Sequence, residues 1–144
     1  MKIDESVRKK AESILNPELN NMGNALGIHF LSLSKDEVKA SMPVNENTVQ
    51  PMRILHGGAS VALAETLMSI GAWLNLDDES KSAVGVEINA NHIRPVREGG
   101  TVIGIARPIH RGRQTQVWET RITTEQDQLV CISRCTLAIV NSRD

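Results

Sequence analysis

One carboxylate stands alone in a long apolar run. From Leu55 to Leu76 the chain reads LHGGASVALAETLMSIGAWLNL, and Glu65 is its only acidic or basic residue apart from His56. A carboxylate is rarely placed in apolar surroundings unless it is paired or used. Such a group suits a general base or a nucleophile. The alternative, an ion pair with one of the strand arginines, stands open on pattern alone. Ser69 follows four residues later on the same helical face, so the two side chains can point at one small volume. A hydroxyl bonded back to its own helix is the ordinary role for such a serine.

The run opens with His56-Gly57-Gly58. Glycines here leave backbone N–H groups open to close approach at the positive end of a helix. That arrangement suits a carbonyl oxygen becoming an oxyanion. Gln50 is the notable polar group in the loop before it. Glu65 lies about 13 Å along the helix from His56, at roughly 1.5 Å per residue. The two cannot grip one carbonyl within one chain. They can across a dimer of antiparallel helices, which predicts a shared site.

These groups must be held by the rest of the chain. Residues 4–15 read as a helix, with Val7, Ala11, Ile14 and Leu15 at helical spacing. A second short helical segment runs from Pro17 to about Asn21. Ile28–Ser34 and Glu37–Val44 read as a hairpin, and Asn45–Leu55 as a loop delivering the chain to His56. The central helix spans Gly58–Leu74 and is apolar on every side, as a helix wrapped by a sheet would be. Membrane spanning needs about 20 apolar residues and tolerates a central charge poorly, so that reading is rejected.

Four strands follow. Ser82–Ile93 places Val84, Val86, Ile88 and Ala90 on one face. Thr101–His110 places Thr101, Ile103 and Ile105 on one face, with a bulge or edge at Pro108. Arg113–Thr124 alternates with Trp118, Thr120 and Ile122 on one parity, and Leu129–Val140 is last. Short connections predict that these four form an antiparallel meander. Residues 1–22 are expected as an N-terminal helical segment and 23–144 as one domain of α+β class. Joining open sheet edges would make at least a dimer.

The bulk numbers exclude several functions. The chain has 144 residues, 16 Lys+Arg against 17 Asp+Glu, and a formal net charge of -1. Neither nucleic acid nor an anionic membrane is attracted by such a balance. Phe30, Trp73 and Trp118 are its only aromatic residues, too few for a base-stacking platform. Cys131 and Cys135 lie roughly 13 Å apart in a strand, too far for a disulfide. They fit no zinc spacing and read as core thiols in a reducing cytosol. The N-terminus lacks an apolar export signal, so a cytoplasmic location is expected. Arg94, Arg97, Arg107, His110, Arg111 and Arg113 cluster at strand ends, where arginines could hold phosphates. Singly, each is ordinarily a solvated turn residue.

VQP, LHGGASVALAET, VGVEINANHIRPVREG and RPIHRGRQTQVWE together resemble the hotdog-fold acyl-CoA thioesterases. That group includes 1,4-dihydroxy-2-naphthoyl-CoA, 4-hydroxybenzoyl-CoA and phenylacetyl-CoA thioesterases. The resemblance runs from about Leu26 to Val140 and implies a curved antiparallel sheet around a long central helix. It implies Glu65 as the catalytic carboxylate, Gly57 N–H on the thioester carbonyl, Gln50 and His56 positioning that carbonyl or a water, and Ser69 near the sulfur or water. It places Gly85, His92, Ile93, Arg94, Pro95, His110, Arg111, Gly112, Arg113, Gln114 and Thr115 along a coenzyme A channel. It implies a homotetramer with sites at dimer interfaces and neither metal nor bound cofactor. A hotdog hydroxyacyl-thioester dehydratase and a non-catalytic acyl-CoA-binding regulatory module are the alternatives.

Overall fold

The computed structural model describes residues 1–142. Its framework is a seven-stranded sheet curled around one helix. In chain order the elements are β1 (Lys2–Ile3), a 3-10 turn (Glu5–Val7), α1 (Arg8–Ile14), α2 (Met22–Ala25), β2 (His29–Leu33) and β3 (Val38–Pro43). The long helix α3 (Gly57–Leu74) follows, then β4 (Lys81–His92), β5 (Thr101–Arg111), β6 (Thr115–Thr124) and β7 (Leu129–Asn141). Strand order is β1-β2-β3-β5-β6-β7-β4, antiparallel except for the β1–β2 pair.

The expected four-strand meander is corrected. Of the four last strands only β5, β6 and β7 are consecutive neighbours, and β4 pairs with β7 at the far edge. The connection over residues 93–100 reaches roughly 26 Å when extended. Three strand spacings are only about 14 Å. A short link therefore permits neighbouring strands to pair without requiring it. The crossing segment is tied to the loop before α3. Leu55 N–H donates to Val96 O (2.8 Å) and Gly99 N–H to Val44 O (2.8 Å). The topology thus closes one end of the molecule over the start of α3.

Trp118, Thr120 and Ile122 of β6 all face α3 and are buried. Trp118 lies so close to the helix that a Cβ on Gly71 would be 2.5 Å from its ring. Its indole N–H donates to Gln116 Oε1 (2.8 Å), whose amide donates to Ala72 O (3.3 Å). Thr101, Ile103 and Ile105 share one face as expected, whereas the face assignment on β4 changes. On β5 the residues against α3 are Val102, Gly104 and Ala106, so the Thr101–Ile103–Ile105 face is the outer one. Small residues there admit Leu63 and Leu67, and close approach outweighs side-chain size. On β4 the ladder slips between Gly85 and Glu87, and a bulge flips side-chain parity. Val84 and Val86 are exposed, while Ile88 and Ala90 pack on the core.

The N-terminal segment is not only helical, since Lys2–Ile3 extends the sheet beside β2. The second short helix is Met22–Ala25, with Asn21 as its N-cap, and residues 17–21 are turns. An asparagine cap starts a helix after itself. Val7 and Ala11 join the core. The sheet does not enclose α3 completely: Val61, Ala62, Glu65, Thr66, Ser69 and Ile70 remain half-buried along one open face. Among the described residues no helix is long and apolar enough to cross a membrane.

Candidate active site

The loop before α3 is braced by hydrogen bonds within itself and to the segment over residues 93–100. The buried Thr48 hydroxyl donates to Pro43 O (2.8 Å) and accepts from Asn45 N–H (2.9 Å). His56 N–H donates to Thr48 O at 2.8 Å. Arg53 takes the left-handed conformation (φ 61°), and its Nε–H meets Glu98 at 2.7 Å. His56 is then presented as the N-cap of α3.

That cap decides which amide is free. Gly58 N–H donates to His56 Nδ1 (2.8 Å), and Ala59 and Ser60 N–H donate to His56 O (3.0 and 3.3 Å). Of the first four amides, only Gly57 N–H lacks an acceptor among the described residues. An Nδ1 that accepts a hydrogen bond carries no proton, so the neutral ring holds its proton on Nε2. Gly57 opens into a cavity of about 330 Å³ lined also by Gln50, Ser60, His92, Arg94 and Pro95. Gln50 Oε1 accepts from Met52 N–H, which leaves its NH₂ as a donor. His92 packs directly on Gly57, where a Cβ would come within 2.9 Å of Nε2.

Glu65 faces a different cavity, about 510 Å³, lined by Met22, Val61, Ala62, Thr66, Ser69 and Ile70 among others. It is half-buried, and among the described residues it makes no ion pair and no hydrogen bond. The ion-pair alternative is not what the fold contains. The side chain bonded back to its own helix is Thr66, to Ala62 O at 2.7 Å. Ser69 has no partner among the described residues.

The residues expected along one coenzyme A channel are divided. His92–Pro95 lie beside Gly57. Arg111, Gly112, Arg113 and Gln114 line a cavity of about 670 Å³ at the opposite end of α3, with Asn75–Asp78 and Lys81. His110 packs on Gly112, and Thr115 is exposed at the start of β6. Gly85 belongs to neither group; it lies against Glu65. Arg111 is already held by Asp36 Oδ1 (2.7 Å), Lys35 O (3.1 Å) and Asn75 Oδ1 (3.2 Å). Arg94 and Arg113 are exposed and pair with no carboxylate among the described residues.

Sequence reading missed three residues here. Met22 reaches the Glu65 cavity from α2, and Val130 reaches the Gly57 cavity from β7. Cys135 lies beside Gly85 near Glu65. Burial pushes its thiol up to about 11, and the charges of Glu65 and then Glu87 add to this. No local pattern marks contacts between such distant segments.

A curled, almost wholly antiparallel sheet around one long helix is the hotdog fold. The chain belongs to the thioesterase superfamily, whose family model matches residues 52–131. It is 47% identical over 120 residues to the 1,4-dihydroxy-2-naphthoyl-CoA hydrolase of Escherichia coli, covering 83% of this chain and 87% of that one. The crystal structure of a Haemophilus influenzae thioesterase superposes with a TM-score of 0.80 at 48% identity, over 85% and 84% of the two chains. A mutant thioesterase from Pseudomonas aeruginosa, a glutamine-to-alanine variant, gives 0.84 at 40% identity over 94% of each.

Proposed function

We propose that the protein hydrolyses acyl-CoA thioesters, with aryl-CoA substrates such as 1,4-dihydroxy-2-naphthoyl-CoA favoured, in menaquinone biosynthesis in the cytoplasm. The name of the Escherichia coli relative supports the aryl class. One observation carries the mechanism: the free amide of Gly57 and the unpaired carboxylate of Glu65 open into separate cavities on one helix. In this reading each active site takes Gly57 from one subunit and Glu65 from its partner. A two-fold axis beside β4 sets two copies of α3 antiparallel and covers their open faces. The tetramer implied by the family resemblance pairs two such dimers.

Gly57 N–H stabilises the oxyanion that forms on the thioester carbonyl. Gln50 NH₂ and the N-capping His56 hold that carbonyl or the water beside it. Glu65 drives the attack, by its own oxygen or by taking a proton from water, with Ser69 beside the attacking group. The C–S bond then breaks and coenzyme A leaves as the thiol. Its phosphates meet Arg94 and Arg113 from different subunits.

Subunit complementation tests this reading. Glu65→Ala and Gly57→Pro each remove one half-site, and each alone should lower kcat by about 100-fold or more. Proline is tolerated at the first helical position and lacks the N–H, and its Cβ displaces only the tip of the exposed His92 ring. Co-expressed in equal amounts, the two variants should form mixed dimers with one intact site, restoring about a quarter of wild-type activity if subunits pair at random. Absence of restoration in verified mixed dimers contradicts the shared site. Single turnover in ¹⁸O water separates the two roles of Glu65. Label entering the carboxylate marks it as nucleophile, water having opened a Glu65–acyl anhydride at the Glu65 carbonyl; capture of that anhydride by hydroxylamine as a Glu65 hydroxamate checks the cases in which only the acid is labelled.

A further inference from the structure

Gly85 sits where β4 skips a residue against β7. It is opposite Leu137, Glu87 is opposite Thr136, and Val86 is the extra residue between them. A Cβ on Gly85 would lie 2.6 Å from Glu65 Oε1 and 3.6 Å from its Cδ. The first distance is well inside van der Waals contact. The same Cβ would be 3.7 Å from Cys135 Sγ. Carboxylate, bare strand backbone and buried thiol are therefore one packed group.

Nothing in the backbone demands glycine at this position. Only Gly27 and Gly99 among the described glycines have positive φ. Glycine inside a strand weakens it and often marks close approach by another group. Here the approaching group is Glu65. No ion pair or hydrogen bond within the described chain fixes that carboxylate, so its place is set by what it packs on.

We propose that Gly85 is a positioning residue for Glu65: the missing side chain at the β4 bulge gives the carboxylate its place against the strand. A methyl group on this backbone drives the carboxylate outward onto the open face of α3. The inference rests on the reading of Glu65 as the catalytic carboxylate. It differs from a contact with coenzyme A, because it concerns the height of Glu65 rather than the grip on substrate.

The experiment compares Gly85→Ala, Glu65→Asp, the double variant and Glu65→Gln, with benzoyl-CoA as probe and thiol release as readout. Displacement of the reacting group should lower kcat of Gly85→Ala by about 100-fold, with KM within about threefold of wild type. Asp is one methylene shorter and leaves room for the added methyl group, so the double variant should lose at least tenfold less than the product of the single losses. In a Glu65→Ala background, Gly85→Ala should leave Tm unchanged or raise it. Raised KM with unchanged kcat, or losses that multiply, overturns the proposal. So does an equal fall in Tm with and without Glu65. If Glu65→Gln keeps wild-type kcat, the reading of Glu65 falls and the inference with it. If Glu65→Gln is inactive and Gly85→Ala is fully active, the inference alone falls.

Discussion

At the scale of single residues, function depends on which polar groups are left over. His56 occupies Gly58 N–H and its carbonyl occupies the next two amides, so Gly57 alone remains. Glu65 is left over in the same sense. Cys135 is the reverse case, a group the fold needs neutral. Its thiol is raised from its ordinary 9.0 to about 11, first by burial and then by Glu65 and Glu87. Burial raises Cys131 as well. The folded chain therefore keeps these protons where the unfolded chain has lost them. The contribution of Cys135 to stability is complete below about pH 9 and is lost as pH climbs towards 11. Urea midpoints should fall across that window, and Cys135→Ala should flatten the fall. An unchanged slope in that variant would mean that other groups set the alkaline limit.

At the scale of elements, α3 is held at both ends by different segments. The loop over 45–55 holds its N-cap, His56, in place. The N-terminal segment supplies its other end: Lys10 of α1 donates to Trp73 O (3.0 Å) and to Leu76 O, and its ammonium lies 5.0 Å from the Trp73 ring centroid. A cation is favoured at a helix C-terminus, and a charge-assisted hydrogen bond adds to that. Desolvation lowers the Lys10 pKa despite the nearby acidic residues, so the contacts work against a burial cost. Lys10→Met keeps most of the stem and removes the charge. It should lower unfolding free energy by about 1–2 kcal/mol, read from chemical denaturation, with kcat little changed. A large kcat loss at unchanged stability would tie α1 to catalysis instead.

At the scale of the whole molecule, the sheet has an open side. β4 is a 12-residue edge strand, with Val84 44% and Val86 61% exposed. A long apolar edge invites pairing with another chain. The open face of α3 lies next to it and carries Glu65. The proposed dimer covers both together, so assembly and activity should fail together. Val86→Lys brings two like charges near the two-fold axis. It should give monomers by sedimentation, a native circular dichroism spectrum and kcat/KM lowered by more than about 100-fold. A monomer with wild-type activity would locate the complete site within one chain.

The sequence by itself determined the local features. The apolar run and the glycines set α3 within a residue of its observed start. Alternation put Trp118, Thr120 and Ile122 of β6 on one face, which the structure turns inward, and Pro108 marked a bulge or edge in β5, which is a bulge. Helix rise alone separates His56 from Glu65, because rise per residue is fixed by backbone geometry. The tertiary structure alone decided the rest. It moved β4 to the far edge, because an eight-residue link can cross three strands as easily as turn back. It set the inward face of β5 by room for Leu67 rather than by side-chain size. It gave Gly58 to His56 and left Gly57 free. It laid Glu65 on Gly85, twenty residues away, across a bulge that no alternation pattern announces. Periodicity is a property of consecutive residues, whereas register, edge placement and steric room are properties of segments that meet only on folding.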